Sequence, residues 1–293
     1  MTLREHIKEG ILLLDGAMGT QLTARGAKGN NELWGVEHPD VLADVHRAYV
    51  DAGAQAVITD TFGGNSAKLA KAGLGDRADE LNRRLVEIAR EAVRGRAWVL
   101  ADVGPTGQFV EPYGDLTESQ MTDVFRRQIA VLLEAGADGI IIETMMDVTE
   151  AVCAVNAARS LAAGIPVLVT MTFDVNPRGF RTLMGVSPAQ AASRLAETGP
   201  DAVGANCGGL LPVQYAALCS EMSAATSLPI IAEPNAGLPE LEDGVTVFKE
   251  PPETFGAIVP DLIASGVKVM GGCCGTGPAH IQAMSNALKK MLK

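Results

Sequence analysis

The sequence has few basic residues for its length. Its 24 lysines and arginines stand against 35 aspartates and glutamates, which leaves a formal net charge of −11 at pH 7. An acidic chain of this kind gains no attraction from a phosphate backbone or from an anionic membrane surface. We therefore expect neither nucleic acid nor a membrane as a partner.

The sequence also lacks long apolar runs and is sparse in cysteine. No apolar stretch approaches the length that spans a bilayer, and residues 1–10 carry too many charges for the core of a signal peptide. Five cysteines in 293 residues is an odd, small number, which argues against a disulfide framework. We expect a cytoplasmic protein that uses thiols as ligands or nucleophiles.

Short apolar runs alternate with helical patterns from one end of the chain to the other. The runs are continuous, as in parallel strands buried on both faces. Eight strand–helix pairs in 293 residues predict an α/β fold, a single (β/α)8 TIM barrel over residues 1–293, with a doubly wound open sheet as the main alternative. The predicted strands are 11–14, 56–59, 98–101, 140–142, 167–171, 202–205, 230–232 and 267–270.

The predicted connections differ between the two ends of the barrel. Helix-to-strand connections are short, whereas several strand-to-helix loops are long, as at 16–37, 104–116, 174–186 and 235–251. Strand-to-helix loops lie at the C-terminal face of a barrel, where barrel enzymes place their chemistry. We therefore expect the functional site on that face.

Three of the five cysteines follow predicted strands on this face. Cys207 ends the sixth strand, and Cys273 and Cys274 follow the eighth, each in a glycine turn. Strands six and eight are separated by one strand in a closed barrel, so the thiols lie within reach of one ion. Three thiolates with an open fourth position suit catalytic Zn²⁺. A phosphate site at the last helix and plain core packing are the alternatives.

The charge of a three-thiolate site indicates the kind of reaction. Three thiolates around Zn²⁺ carry a net charge of about −1, which makes the ion a weak activator of water and a good holder of a substrate thiol. We therefore expect alkyl transfer to a thiol. The remaining cysteines, Cys153 and Cys219, are predicted to be core residues on helices, and surface or capping roles are predicted for the histidines, His6, His38, His46 and His280.

Four separated motifs resemble the homocysteine S-methyltransferase family. They are LLLDGAMGT at 12–20, TDTFG at 59–63, GANC at 204–207 and GGCCGT at 271–276. The resemblance spans essentially the whole chain, and it is closest to the homocysteine-binding module of cobalamin-dependent methionine synthase through DVGPTG at 102–107 and EPNAG at 233–237. It implies a TIM-barrel enzyme with Zn²⁺ on Cys207, Cys273 and Cys274 that methylates a zinc-bound homocysteine thiolate to methionine.

The resemblance also implies substrate contacts. Asp15 and Glu143 would bind the ammonium group of homocysteine, and the turn amides of Gly16, Ala17 and Met18 would bind its carboxylate. A turn-capping role is the structural alternative for Asp15. Two further family positions, Thr61 and Asn235, are expected near the substrate and the metal. Asn235 is also expected to ligate zinc when substrate is absent.

The methyl donor remains open at this level. The resemblance favours a methyl-corrinoid (methylcobalamin) on a separate protein or module, and the alternatives are a small onium donor such as S-methylmethionine or betaine, transfer to another thiol, or a non-catalytic subunit that presents homocysteine. The chain is expected to be either freestanding or a module of a longer enzyme. Two positions depart from the family: Asp60 stands where asparagine is common, and Met18 where an aromatic residue is frequent.

Overall fold

A computed structural model describes residues 1–161, 163–242 and 244–291. Eight parallel strands form a nearly closed barrel, and each falls on a predicted apolar run. The TIM-barrel prediction is therefore confirmed. The strands are β1 Leu12–Leu13, β2 Ala56–Ile58, β3 Trp98–Val103, β4 Gly139–Met145, β5 Val167–Met171, β6 Ala202–Asn206, β7 Ile230–Glu233 and β8 Val267–Met270.

The sheet order is β1-β8-β7-β6-β5-β4-β3-β2, so β7 is the single strand between β6 and β8. Side chains help to join β1 to β2. The backbone amide of Gln55 donates to the Leu13 carbonyl over 2.7 Å, and the backbone amide of Leu13 donates to the side-chain Oε1 of Gln55 over 2.9 Å. The Ile58 amide donates to Oδ2 of Asp15 over 3.0 Å. These contacts take the place of a regular ladder.

The barrel helices follow their strands as predicted, and several begin with clear sequence signals. Thr117 and Ser187 each form a capping box with a glutamine three residues later. The helices of the described residues are α1 Leu3–Glu9, α2 Gly19–Thr23, α3 Asn31–Glu37, α4 Pro39–Ala52, α5 Ser66–Ala70, α6 Ala78–Val93, α7 Glu118–Glu134, α8 Val148–Leu161, α9 Pro188–Ala196, α10 Tyr215–Ser223, α11 Pro252–Ala264 and α12 Pro278–Met291. None of them is both long and apolar enough to cross a membrane.

The long loops on the C-terminal face contain small elements that the sequence did not predict. Helices α2 and α3 lie in the first loop, and two antiparallel hairpins lie in the fifth and seventh, at Asp174–Asn176 with Gly179–Arg181 and at Glu240–Glu242 with Val245–Val247. The hairpin strands have 3 residues each, which is too short for their alternation of polar and apolar residues to identify them.

The core has two layers, which explains why the strands are apolar on both faces. Side chains of alternate strand positions fill the barrel interior, and α1 covers its N-terminal end with Leu3 and Ile7. A larger cluster packs the outer strand faces against the surrounding helices. The closed end at α1 leaves the C-terminal end as the accessible mouth of the barrel.

The prediction of surface or capping roles for the histidines is wrong for His46. His46 lies in α4, is fully buried, and has no hydrogen-bond partner for either ring nitrogen among the described residues. Burial lowers its pKa to about 4. His280, by contrast, accepts a hydrogen bond from the Gly277 amide beside the start of α12, in the predicted capping role.

Candidate active site

The three predicted thiols meet at the C-terminal mouth of the barrel. Cys207 directly follows β6, and Cys273 and Cys274 follow β8. Their Sγ atoms all lie within 4.8 Å of one another, and those of Cys207 and Cys274 are 4.0 Å apart. A tetrahedral ion with Zn–S bonds of about 2.3 Å would hold its sulfurs about 3.8 Å apart. The donor set therefore fits zinc after adjustments smaller than 1 Å.

The backbone around the thiols explains why these turns have their sequence. Cys207 has a φ of 54°, the left-handed region, and Gly208 follows with a φ of 74°. A Cβ on Gly208 would overlap the carbonyl oxygen of Phe173, so only glycine fits there. The loop after β7 joins both thiol turns, because the Cys273 amide donates to the Pro234 carbonyl over 2.9 Å and Nδ2 of Asn235 donates to the Gly208 carbonyl over 3.1 Å.

The thiols share protons with one another. Hydrogen bonds from Cys273 and Cys274 lower the pKa of Cys207 to about 3, with further help from the Gly208 amide and from Asn235. The hydrogen bond to Cys207 raises the pKa of Cys273 well above its usual value and that of Cys274 to about 12. Without metal, the cluster therefore holds one negative charge at neutral pH, and a metal must displace the other two protons.

A cavity of about 350 Å³ opens beside the thiols. Its wall is formed by the ends of the strands and by the first loop, and it is rich in carboxyl groups. The carboxylic residues that line it are Glu32, Asp60, Asp102, Glu143 and Glu233. Other lining residues are Gly16, Ala17, Met18, Gly19, Thr20, Asn31, Ile58, Thr59, Phe62, Thr144, Cys207, Gly272, Cys273 and Cys274.

The carboxyl groups nearest the barrel axis are held without a positive partner. Burial raises the pKa of Glu143 to about 7, and burial together with the charge of Glu143 raises those of Asp102 and Glu233 well above the usual range. Oδ1 of Asp102 and Oε2 of Glu233 have no hydrogen-bond partner among the described residues. A buried acidic group without a partner favours a cationic ligand that neutralises it.

One side chain connects the carboxyl groups to the thiols. Nδ2 of Asn206 donates to Oε2 of Glu143 over 2.5 Å and to Oγ1 of Thr144 over 2.8 Å, and it lies 3.7 Å from Sγ of Cys273. Its Oδ1 accepts from the Thr170 hydroxyl over 2.8 Å. Asn206 thereby fixes Glu143 relative to the thiol cluster.

The structure places most of the predicted substrate contacts at this cavity. Gly16, Ala17, Met18 and Glu143 line it together with the thiols. The Ala17 amide already donates to Oγ1 of Thr276 over 3.0 Å, so carboxylate binding would fall to the other amides of this turn. Asp15 lies behind the wall, 1% exposed, with Oδ1 unpartnered among the described residues.

Two predicted contacts lie away from the cavity surface. The Thr61 hydroxyl donates to the Asp102 carbonyl over 2.8 Å and pairs with the Thr59 hydroxyl over 2.7 Å. Nδ2 of Asn235 donates to the Gly208 carbonyl over 3.1 Å, and its Oδ1 is buried with no partner among the described residues. The observed contacts of Thr61 are structural, and substrate contact by either residue stays a prediction.

Sequence reasoning missed part of the acidic wall. Asp102 and Glu233 each end an apolar strand run, as Glu143 does within β4. The argument used for Glu143, that a charge after an apolar run is costly to bury without a ligand, therefore applied to them as well. Glu32 and Asn31 lie in the first long loop, where the sequence carried no comparable signal.

The fold and the site together define a (β/α)8 barrel with a three-thiol cluster beside an acidic cavity at its C-terminal mouth. The chain belongs to the homocysteine S-methyltransferase family, whose family model matches residues 12–288. The resemblance inferred from the four sequence motifs is thereby confirmed.

The relatives include much longer proteins. The chain is 32% identical over 305 residues to the methionine synthase of Mycobacterium tuberculosis and 31% identical over 307 residues to that of Mycobacterium leprae. In each case the match covers 98% of this chain and 25% of the relative. The chain thus spans about a quarter of the length of these curated relatives.

Solved structures of similar length also match. The metallated form of the homocysteine methyltransferase MmuM from Escherichia coli has a TM-score of 0.78 at 27% identity, covering 95% of this chain and 96% of that one. The apo form of the same protein has a TM-score of 0.70 at 27% identity, covering 96% and 97%.

Proposed function

We propose that this chain is a zinc-dependent methyltransferase that transfers a methyl group to the sulfur of homocysteine and so forms methionine. The observation that carries the proposal is the position of three thiols, all within 4.8 Å of one another, in the wall of a 350 Å³ cavity lined by carboxyl groups. Membership in the homocysteine S-methyltransferase family supports the same reaction.

Cys207, Cys273 and Cys274 are the residues that would hold the metal. Their sulfur donors and spacing suit Zn²⁺ and leave a fourth position open towards the cavity. A bound zinc ion would lower the pKa of an incoming thiol, so that the substrate sulfur is nucleophilic at neutral pH. The buried Oδ1 of Asn235 is a further candidate donor when substrate is absent.

The carboxyl groups would orient the amino acid. Glu143, whose pKa is raised to about 7, would face the ammonium group of homocysteine. Burial raises the pKa values of Asp102, Glu233 and Asp15 well above the usual range, so an ammonium group beside them would favour their ionised forms. The substrate carboxylate would then face the turn amides of Gly16 and Met18. In the reaction, the substrate sulfur attacks the methyl carbon, and the electron pair of the breaking bond leaves with the donor.

The donor belongs to one of two classes. A methyl-corrinoid (methylcobalamin) on a separate protein or module is supported by the exposed apolar side chains of the C-terminal-face loops, which would suit a protein partner: Tyr113, Leu183, Val213 and Leu241. A small onium donor is supported by the acidic wall. Transfer to another thiol, or presentation of homocysteine without catalysis, are the alternative functions. The free thiols fit a cytoplasmic location.

The test is methionine formation by the purified, zinc-containing chain. Homocysteine is supplied with methylcobalamin, S-methylmethionine or betaine in separate reactions, and with cysteine as a competing acceptor. We expect methionine from at least one donor and loss of both zinc and turnover in Cys273→Ser. Cys219→Ser, which changes a buried thiol outside the cluster, should keep both. Full turnover by Cys273→Ser would refute the proposal.

A further inference from the structure

The cavity contains more carboxyl groups than one amino acid requires. Homocysteine has a single ammonium group, and the carboxyl groups of β3, β4 and β7 already face it in the proposed pose. Two further carboxyl groups, those of Asp60 and Glu32, also line the cavity. Asp60 and Glu32 are each only 5% exposed. Burying a carboxyl group is costly unless it has a partner, so these two residues need an explanation separate from that of the other three.

Asp60 and Glu32 lie on the side of the mouth opposite Cys207. Asp60 follows β2 by two residues, and Glu32 lies in the first turn of α3. In the sheet order, β2 is four strands from β6 in either direction. The two carboxyl groups therefore face the thiol of Cys207 across the barrel axis, where a second substrate would enter beside the first.

The chain leaves space for these two carboxyl groups with glycines. Gly35 follows Glu32 by about one turn of α3, and a Cβ at Gly35 would lie 2.8 Å from Oδ2 of Asp60. At Gly63, a Cβ would overlap Oε1 of Glu32. The Gly63 amide instead donates to that oxygen over 2.5 Å, and Nδ2 of Asn30 donates to Oε2 over 2.6 Å. These two hydrogen bonds hold the Glu32 side chain in a fixed position.

Burial, and then the neighbouring Glu32 carboxyl, raises the pKa of Asp60 well above its usual range. Oδ2 of Asp60 is buried without a hydrogen-bond partner among the described residues, and neither Asp60 nor Glu32 takes part in an ion pair among them. Nζ of Lys68 lies over the ring of Phe62, 4.2 Å from the centroid, and makes no ion pair with either carboxyl group in the described part of the chain. A cationic ligand group would supply the missing partner.

We propose that Asp60 and Glu32 form a second cation subsite, across the mouth from the thiols, that binds a positively charged group of the methyl donor. The inference rests on the proposed function and favours its onium alternative, a sulfonium or quaternary ammonium compound. Asp60 also adds something where the family commonly has asparagine: a carboxyl group that a bound cation would hold ionised, in place of an amide that stays neutral.

The test is direct binding to the zinc-containing protein by calorimetry, without reliance on turnover. S-methylmethionine and betaine are titrated into the wild type, Asp60→Asn and Glu32→Gln. Both substitutions keep the shape of the side chain, and the glutamine can still accept the Gly63 hydrogen bond. We expect Kd for the cationic donor to rise about tenfold or more in each variant, while Kd for homocysteine and zinc content change less than twofold.

Asp261→Asn is the matched control, because Asp261 is exposed on α11. Equal weakening in the control would overturn the subsite, since it would reflect net charge alone. The subsite would also be overturned if the substitutions weakened binding of homocysteine instead of the donor, or if the wild type bound neither S-methylmethionine nor betaine. If Asp60-dependent binding is found but no donor yields methionine, the subsite stands and the proposed methyl transfer fails. Turnover with methylcobalamin alone, unchanged in Asp60→Asn, would support the function and refute the subsite.

Discussion

The Glu143→Gln variant should separate the function of the acidic wall from its cost. Glu143 has a pKa raised from 4.5 to about 7, chiefly by burial and further by the charge of Cys207. Above pH 7 the folded protein must hold this carboxylate charged in the cavity, whereas the unfolded chain holds it in water. Glutamine removes the charge and retains an acceptor for the Asn206 amide.

The size and sign of the effect follow from proton linkage. The folded state binds its proton more tightly than the unfolded state, so stability falls as pH rises from about 4.5 through 7. A rise of this size corresponds to at most about 3 kcal/mol, less what the open cavity screens. We expect Glu143→Gln to be more stable than the wild type by about 1–3 kcal/mol at pH 8, with the difference falling below about 1 kcal/mol at pH 5.

The assay is urea unfolding of the metal-free protein, with chelator and reductant, at pH 5 and pH 8. Glu197→Gln serves as the control, because Glu197 is exposed and should show no such pH-dependent difference. The Glu143→Gln variant should also bind homocysteine more weakly than the wild type at both pH values. A Glu143→Gln protein that is equally or less stable at pH 8, or one whose advantage does not change with pH, would refute the reasoning.

Three further changes test other parts of the account. His46→Leu should reduce the loss of stability between pH 6.5 and 4, because the buried ring has a pKa lowered from 6.5 to about 4; the wild type should lose up to about 3 kcal/mol more than the variant over this range in urea unfolding, and parallel pH profiles would contradict the assignment. Gly208→Ala should destabilise the fold by more than about 2 kcal/mol and impair zinc binding, since its φ is positive and its Cβ would overlap Phe173. Gly199→Ala, also at positive φ but in open space, should cost only about 1 kcal/mol and leave zinc content intact, so equal zinc loss in both would contradict this explanation. Metal binding at neutral pH should release about two protons per ion, because Cys273 and Cys274 hold theirs in the metal-free cluster; calorimetry in buffers of different ionisation enthalpy would measure it, and no release would contradict the proton sharing.

The barrel could be predicted from the sequence because its signal is local and repeated. Each strand is an apolar run followed by a helix with its own capping residues, as at Thr117 and Ser187. Closure of the barrel then follows from the strand count. In the closed barrel, only one strand lies between the strand that precedes Cys207 and the strand that precedes Cys273. The thiol cluster was therefore predictable once the fold was fixed.

The rest of the site depends on contacts that sequence spacing does not encode. Glu32 reaches the cavity because α3 packs beside the segment that follows β2, and its position depends on the absence of a side chain at Gly63. Thr61 was expected at the substrate, but its hydroxyl is used to join β2 to β3 through Asp102. His46 lies four residues after Leu42 and three before Tyr49, on the apolar face of α4, so the helical period did carry the signal for its burial.

The central claim is that the thiol cluster holds a metal whose open position receives the sulfur of homocysteine. The most direct measurement is the absorption spectrum of the protein with Co²⁺ in place of zinc, titrated with homocysteine. The account predicts one ion per chain, a tetrahedral spectrum with sulfur-to-metal charge transfer that Cys273→Ser loses, and a rise in that charge transfer when homocysteine is added. The claim would be contradicted if the charge-transfer absorption did not change when homocysteine was added, or if it was retained in Cys273→Ser.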